Sequence, residues 1–333
     1  MYVAGLEILI MYVDQTKEKK SNSMSLLIPN KRDWVDAHSD LDEDVLFHEK
    51  WQESKVNLNS YWKFEPVANF FKQTDESTDD MAFNYATEDF GIKSDWETLK
   101  EELKELNASS KYGEKYKLLF LARHGQGWHN VASVKYSPED WFNKWRLLGT
   151  DGELTWGPDA NLTPLGVNQA KENNQLWKEQ LAKGAPFPTK FIVSPLQRSS
   201  HTLVHTWEGI NIPNPIVVEK VRETIGANIC HQRATKTIIG QRFSTFEFEP
   251  EFTENDEIFD KFTPGREKLH QQFLRVNEFL QELFENDDNT VISITSHAGT
   301  IRAFITAVGH RKFTIPTGGM IPIVIRGEKI INN

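Results

Sequence analysis

Leu119-Phe120-Leu121-Ala122-Arg123-His124-Gly125-Gln126-Gly127-Trp128-His129-Asn130 is an apolar run that stops at Arg-His-Gly, with an Asn six residues after the His. A buried strand that ends this way delivers a guanidinium, an imidazole and a glycine to one sheet edge, a set suited to meeting an anion. The imidazole can attack phosphorus and the guanidinium can hold phosphate oxygens in a fork. Gly125 is expected to let the backbone turn tightly beside the bound group.

Outward from this strand, apolar runs alternate with helical periodicities. Strands are predicted over 117–122, 191–193, 216–218, 291–295 and 320–325, and helices over 165–181, 197–207, 265–285 and 300–308. The 265–285 pattern is the clearest, because Leu269, Phe273, Val276, Leu280 and Leu283 recur at steps of four and three. Thr163-Pro164 opens the 165–181 helix. A further helix is expected from Trp96 to Leu106. The alternation predicts a layered α/β fold with a mostly parallel sheet. Two long stretches, 133–161 and 226–262, read as irregular loops with functional content. Residues 1–58 are polar and charged without sustained periodicity, and predict a flexible extension before one domain spanning 59–333.

Composition narrows the partners. The chain has 333 residues, 38% hydrophobic and 26% charged, with a formal net charge of −10. That acidity argues against a nucleic-acid backbone as the main partner. Cys230 is the single cysteine, so no internal disulfide exists, which fits a reducing compartment. The apolar start, Met1 to Val13, is interrupted by Glu7 and is too short to span a bilayer. It reads as a disordered start, with Met24 an alternative initiator. The expected location is the cytoplasm, with the nucleus also open, and self-association is left open.

Ligands in open α/β sheets bind beyond the carboxyl ends of the strands. The candidate residues at such ends are Arg123-His124-Gly125, Ser194 to Arg198, Arg222-Glu223, and Ser296 to Gly299. His124 is the candidate nucleophile, with a backbone carbonyl expected to fix its tautomer. Arg123, Arg198 and His297 spread positive charge over phosphoryl oxygens, and Asn130 adds a neutral donor. Glu223, a carboxyl among cations, is the natural acid for the leaving oxygen and then the base for water. Gly125, Gln126 and Arg233 are placed on the substrate side of the pocket. His129 is expected to be a loop hydrogen-bonder rather than a metal ligand, since no carboxylate or cysteine stands near it at ligand spacing. No metal or cofactor is implied. The tryptophans of 133–161 could be core or substrate wall.

The motifs together resemble the histidine phosphatase superfamily, the phosphoglycerate-mutase-like proteins, and within it the fungal phosphomutase-like phosphatases. The resemblance runs from about residue 60 to the end. It rests on Leu-Ala-Arg-His-Gly-Gln-Gly-Trp-His-Asn at 121–130, Leu-Thr-Pro-Leu-Gly-Val-Asn-Gln-Ala at 162–170, Ser-Pro-Leu-Gln-Arg-Ser-Ser-His-Thr at 194–202, Arg-Glu-Thr-Ile-Gly at 222–226 and Ser-His-Ala-Gly at 296–299. It implies a three-layer sandwich, a phosphoacceptor at His124, phosphate-pocket residues at Arg123, Arg198 and His297, and a proton donor at Glu223. A metal-independent phosphomonoesterase acting on a small phosphate ester is the implied activity. A phosphomutase and a non-catalytic phospho-ligand binder are the alternatives. Two departures stand out. Cys230-His231-Gln232-Arg233 replaces the Cys-Asp-x-Arg that fungal members often carry, and the basic cluster of true mutases is not closely matched.

Overall fold

The computed structural model describes residues 24–332. In chain order it has α1 (Lys31–His38), α2 (Leu41–Lys55), β1 (Ser60–Pro66), α3 (Trp96–Ser109), β2 (Glu114–Arg123), α4 (Trp128–Lys135) and α5 (Pro138–Asn143). There follow α6 (Pro164–Ala182), β3 (Lys190–Val193), α7 (Gln197–Thr206), β4 (Ile216–Val217), α8 (Lys236–Arg242), β5 (Glu247–Phe248) and α9 (Glu257–Phe262). The chain closes with α10 (Leu269–Asn286), β6 (Val291–Ser296), α11 (Ala298–Ala307) and β7 (Met320–Ile331).

The seven strands form one sheet in the order β1-β7-β2-β6-β3-β4-β5. From β2 to β5 all neighbours are parallel, while β7 lies antiparallel to both β2 and β1. β2 is central, and its side chains alternate between two cores. Leu119 and Leu121 enter one with the α10 and α11 residues Phe273, Leu280 and Ile301. Leu118 and Phe120 enter the other with Trp96, Trp177 and Leu203 of α3, α6 and α7. A strand buried on both faces needs the continuous apolar run seen in the sequence, and helices on both faces complete a three-layer α/β sandwich. Helix starts follow local chemistry. Thr163 caps α6, accepting from the Gly166 N–H, with Pro164 in the first turn. The buried Asp159 carboxylate accepts from the Gln197 N–H at 2.9 Å and caps α7 from a distant loop.

The flexible extension expected over 1–58 is replaced, from residue 24 on, by a packed helical arm; residues 1–23 lie outside the described residues. α1 opens with a reciprocal capping box between Asn30 and Asp33 and rests on α11, and α2 rests on α10. The arm is anchored by charge more than by apolar area. Phe47 is the one fully buried side chain of α2, meeting Phe273 edge-on. Around it Glu43 accepts from the His270 N–H at 2.9 Å, and Asp44 pairs with Arg302 and Lys312. Such helices carry too few apolar residues to show a period in sequence.

The two stretches expected to be irregular also contain structure. The 133–161 stretch holds α5, and it carries Trp156 into a third small core with Ala132, Ala160 and Cys230, flanked by Trp141 and Trp145. The 226–262 stretch holds α8, β5 and α9. Elements of two to seven residues are shorter than a periodicity can reveal.

Candidate active site

Because β2, β6 and β3 run parallel, the residues that follow them open onto one edge, and His124, His297 and Arg198 meet there. The His124 ring is buried, and its Nδ1–H donates to the Gly125 carbonyl at 2.7 Å. A carbonyl can only accept, so the proton is fixed on Nδ1 and Nε2 keeps a bare lone pair. The Nε–H of Arg198 points at that lone pair from 3.3 Å. Burial, reinforced by the charges of Arg198 and Arg123, holds the imidazole well below its usual titration range. It stays neutral at physiological pH, as a nucleophile must.

Arg198 is fully buried on α7. Its Nη1 donates to the Cys230 carbonyl at 2.9 Å, while Nη2 has no partner among the described residues. His297, also fully buried, stands just before α11 with its ring 5.0 Å from that of His124. Its Nε2 meets the Ser194 hydroxyl at 2.7 Å. If that hydroxyl donates, the proton lies on Nδ1, which has no partner among the described residues. Buried polar atoms without partners cost about 1–3 kcal/mol each, and three of them belong to neighbours of His124: Arg198, His297 and His129. His129 and His231 line the cavity beside His124, whereas Arg198 and His297, both fully buried, are not among its lining residues. Burial first, and Arg198 second, lowers the pKa of all three neighbouring imidazoles, His129, His231 and His297. The expected hydrogen-bonding role of His129 is not met at Nδ1, which has no partner among the described residues.

Glu223 faces the same cavity. Its Oε1 accepts from the Thr224 N–H at 2.9 Å and is approached by the Gln272 amide at 3.4 Å. It pairs with neither Arg222 nor Arg233. Gly299 makes room for it, since a Cβ there would sit 2.6 Å from Oε1. Arg123 lines the cavity but is partly committed. Its Nη1 donates to Asp33 at 2.7 Å and to the Ile315 carbonyl at 2.6 Å, and its Nη2 lies 3.6 Å from Asp36. Asn130 lines the cavity, and its Oδ1 accepts the Gly127 N–H at 2.8 Å.

Four expectations are corrected. Arg233 does not reach the cavity. It pairs with Glu219, lies over the Phe252 ring, and donates to the Thr253 and Asn255 carbonyls at 2.9 and 3.0 Å. Its side-chain donors are spent on Glu219, the Ala234 carbonyl and the 253–255 loop, which makes it a structural residue. Gln126 is not among the cavity residues either. Its N–H donates to Gln169, and its Oε1 accepts from Thr163, so it fastens the loop to α6. Gly125 is needed for close approach rather than for a turn, because a Cβ there would collide with the backbone of Gly166. Arg222, placed among the converging residues by its strand, likewise turns away into a buried pair with Asp256 and Glu219. The cavity has a volume of about 740 Å³ and is walled by Asp36 and Arg32 of the arm, Trp141 and Arg146 of the 133–161 stretch, and Arg266 and Lys268 before α10. Asp33 and Asp36 were invisible as site residues. The Asn30-x-x-Asp33 spacing was the one sequence signal of the helix that carries them.

The chain belongs to the histidine phosphatase superfamily, branch 1, whose profile matches residues 119–317. Superfamily members are phosphatases and mutases that act on small phosphorylated substrates. The chain is similar to "Probable phosphoglycerate mutase" of Arthroderma benhamiae, at 33% identity over 80% of this chain and 84% of that one. It is also similar to "Phosphomutase-like protein 3" of Candida albicans, at 38% identity over 80% of this chain and 81% of that one. Among solved structures, the alpha-ribazole phosphatase of Shigella flexneri aligns over 65% of this chain and 96% of its own, with 17% identity and a TM-score of 0.38. Among the described residues no helix is long and apolar enough to cross a membrane.

Proposed function

We propose that this protein hydrolyses phosphomonoesters of small alcohols through a phosphohistidine on His124. The observation that carries the reading is the unprotonated Nε2 of a neutral, buried His124, approached by the Arg198 Nε–H at 3.3 Å and neighboured by His297, with Arg198 and His297 each keeping a polar atom that has no partner among the described residues. In the first step Nε2 attacks phosphorus, the N–P bond forms and the P–O ester bond breaks. Glu223 gives its proton to the departing alkoxide. Arg198, the Nη2 of Arg123, His297 and the Asn130 amide hold the phosphoryl oxygens, where charge gathers as the group transfers. In the second step Glu223, now a carboxylate, takes a proton from water, whose oxygen attacks phosphorus. The N–P bond breaks, its electron pair returns to Nε2, and inorganic phosphate leaves.

The cavity wall carries carboxylates, Asp36, Asp40 and Glu43, and cations, Arg32, Arg146, Arg266, Lys268 and Arg302. An isomerase must retain a second anionic group while keeping water from the phosphohistidine, and a wall of mixed charge leaves both reactions to be separated by experiment. The names of the two fungal relatives point to the mutase reading, so isomerisation of phosphoglycerates belongs in the same experiment.

The test is phosphate release from a panel of phosphomonoesters with EDTA present, comparing wild type with His124→Ala. Release that survives chelation and vanishes in the variant is expected. Wild-type-like release by His124→Ala, or phosphoglycerate isomerisation without net release, overturns the proposal.

A further inference from the structure

Thr224 holds two site residues at once. Its N–H donates to Glu223 Oε1 at 2.9 Å, and its carbonyl accepts from His231 Nδ1 at 2.6 Å. Glu223, Thr224 and His231 all line the cavity of His124. The carboxylate and the imidazole are therefore hung on one residue and open into one space. Because a carbonyl can only accept, the proton of the His231 ring is fixed on Nδ1, and Nε2 keeps its lone pair. The Gly125 carbonyl locks His124 in the same way. One device thus sets the tautomer of two histidines in one cavity.

The rest of His231 is fully committed. Its N–H donates to the Asn228 carbonyl at 2.8 Å. Its carbonyl accepts from Arg222 Nε at 3.2 Å and from Arg222 Nη2 at 2.6 Å, and Arg222 is itself held by Asp256 at 2.8 Å. With the N–H, the carbonyl and Nδ1 all engaged, Nε2 is the polar atom left to meet a ligand, and it has no partner among the described residues. Burial, with the charges of Arg198 and Arg266, keeps the ring neutral, so the lone pair stays available at physiological pH. A neutral imidazole fixed in this tautomer cannot donate from Nε2. It accepts from an O–H or N–H, and offers nothing to an ether oxygen or a methyl group.

In the phosphohydrolase reading, on which this inference rests, the phosphoryl group lies against His124 and the ester oxygen takes its proton from Glu223. The body of the alcohol then extends from Glu223 past Thr224 and His231. We propose that His231 is a specificity-determining residue whose Nε2 accepts a hydrogen bond from a hydroxyl of the leaving alcohol, so that the site selects phosphate monoesters of diols and polyols over those of plain alcohols. The discrimination comes from the acceptor itself, because an alcohol without a donor covers Nε2 and leaves it unpaired.

Three esters isolate the donor: 2-hydroxyethyl, 2-methoxyethyl and propyl phosphate. The first two carry an oxygen at the same place, and only the first has a proton on it. Propyl phosphate matches the first in size. The wild-type kcat/KM for 2-hydroxyethyl phosphate should exceed that for each of the others by about two- to tenfold, the worth of one hydrogen bond between neutral groups. His231→Asn is the sharp variant. The new amide nitrogen can replace Nδ1 on the Thr224 carbonyl, while nothing replaces Nε2. Both ratios should fall close to one, with melting curves to confirm the fold. A wild type that treats the hydroxyl and methoxyl esters alike overturns the proposal without any variant. So does a His231→Asn enzyme that keeps the wild-type ratios, or one that slows on all three esters equally, the mark of a structural role. Should the wild type hydrolyse none of them, the phosphohydrolase reading falls by itself, and calorimetric titration with the same three esters makes the comparison. Tighter binding of the hydroxyl ester, lost in His231→Asn, sustains the role of His231, and equal binding of the three, or none, refutes it.

Discussion

Replacing Gly299 with Ala separates catalysis from stability in one methyl group. Gly299 is the second residue of α11 and its backbone is ordinary helix, so alanine fits the conformation and should stabilise the helix by up to about 1 kcal/mol. The new Cβ, however, would sit 2.6 Å from Glu223 Oε1, 3.1 Å from Gln272 Oε1 and 3.4 Å from Gln272 Nε2. The neighbours are the ends of flexible side chains, so the fold survives and the carboxylate retreats by several tenths of an ångström. Misplacing a catalytic group by about 1 Å can lower the rate by about 10²-fold. The loss should depend on the leaving group. An alkyl phosphate needs its oxygen protonated and should slow by about 10- to 100-fold, whereas 4-nitrophenyl phosphate, which leaves unaided, should slow only a few-fold. Steady-state kcat on the two esters, with Glu223→Ala as reference and melting curves alongside, makes the measurement. An unchanged alkyl rate would falsify the argument. So would equal losses on both esters, or a large drop in melting temperature, which would mean that the methyl had damaged the fold instead.

Other consequences follow from the same geometry. Since burial and two guanidiniums hold the His124 pKa well below its usual value, the nucleophile stays neutral as pH falls through 6.5, and the acid limb of kcat/KM should lie below that of a free imidazole. A rate that declined with an apparent pKa near 6.5 would contradict this. Asp33→Ala leaves the buried Arg123 without its closest counter-ion and should destabilise by about 3–5 kcal/mol in urea unfolding. A change under about 1 kcal/mol would mean that the arm is not a structural part of the domain. Arg233→Ala should lower the melting temperature while leaving competitive inhibition by inorganic phosphate intact. Weakened inhibition in a fully folded sample would restore Arg233 to the pocket.

What could be read from the sequence was what burial writes into it. β2 is apolar on both faces because two cores flank it, and α10 shows its stripe because Phe273, Val276, Leu280 and Leu283 pack together. Strand ends then placed His124, Arg198, His297 and Glu223 near one another. Side-chain direction was not legible. Arg222 and Arg233 occupy positions that look equivalent to those of Arg198, yet both turn into ion pairs with Glu219, and Arg222 with Asp256 as well. Nor was the arm legible, because helices held by Asp33, Glu43 and Asp44 through charge look in sequence like a solvated tail. Gly125 was noticed for the wrong reason. Its partner Gly166 lies about forty residues away, and no local rule links them.

Cys230 offers a spectator's view of this machinery. Its thiol is buried and pushed up to about 11, so at neutral pH it is neither accessible nor ionised. Its backbone carbonyl is the one that holds Arg198 Nη1. The chain has no second thiol to confuse the signal. The rate at which a disulfide reagent labels the native protein therefore counts how often the loop that holds Arg198 lets go, a clock for the breathing of the site that needs no substrate and no engineered probe.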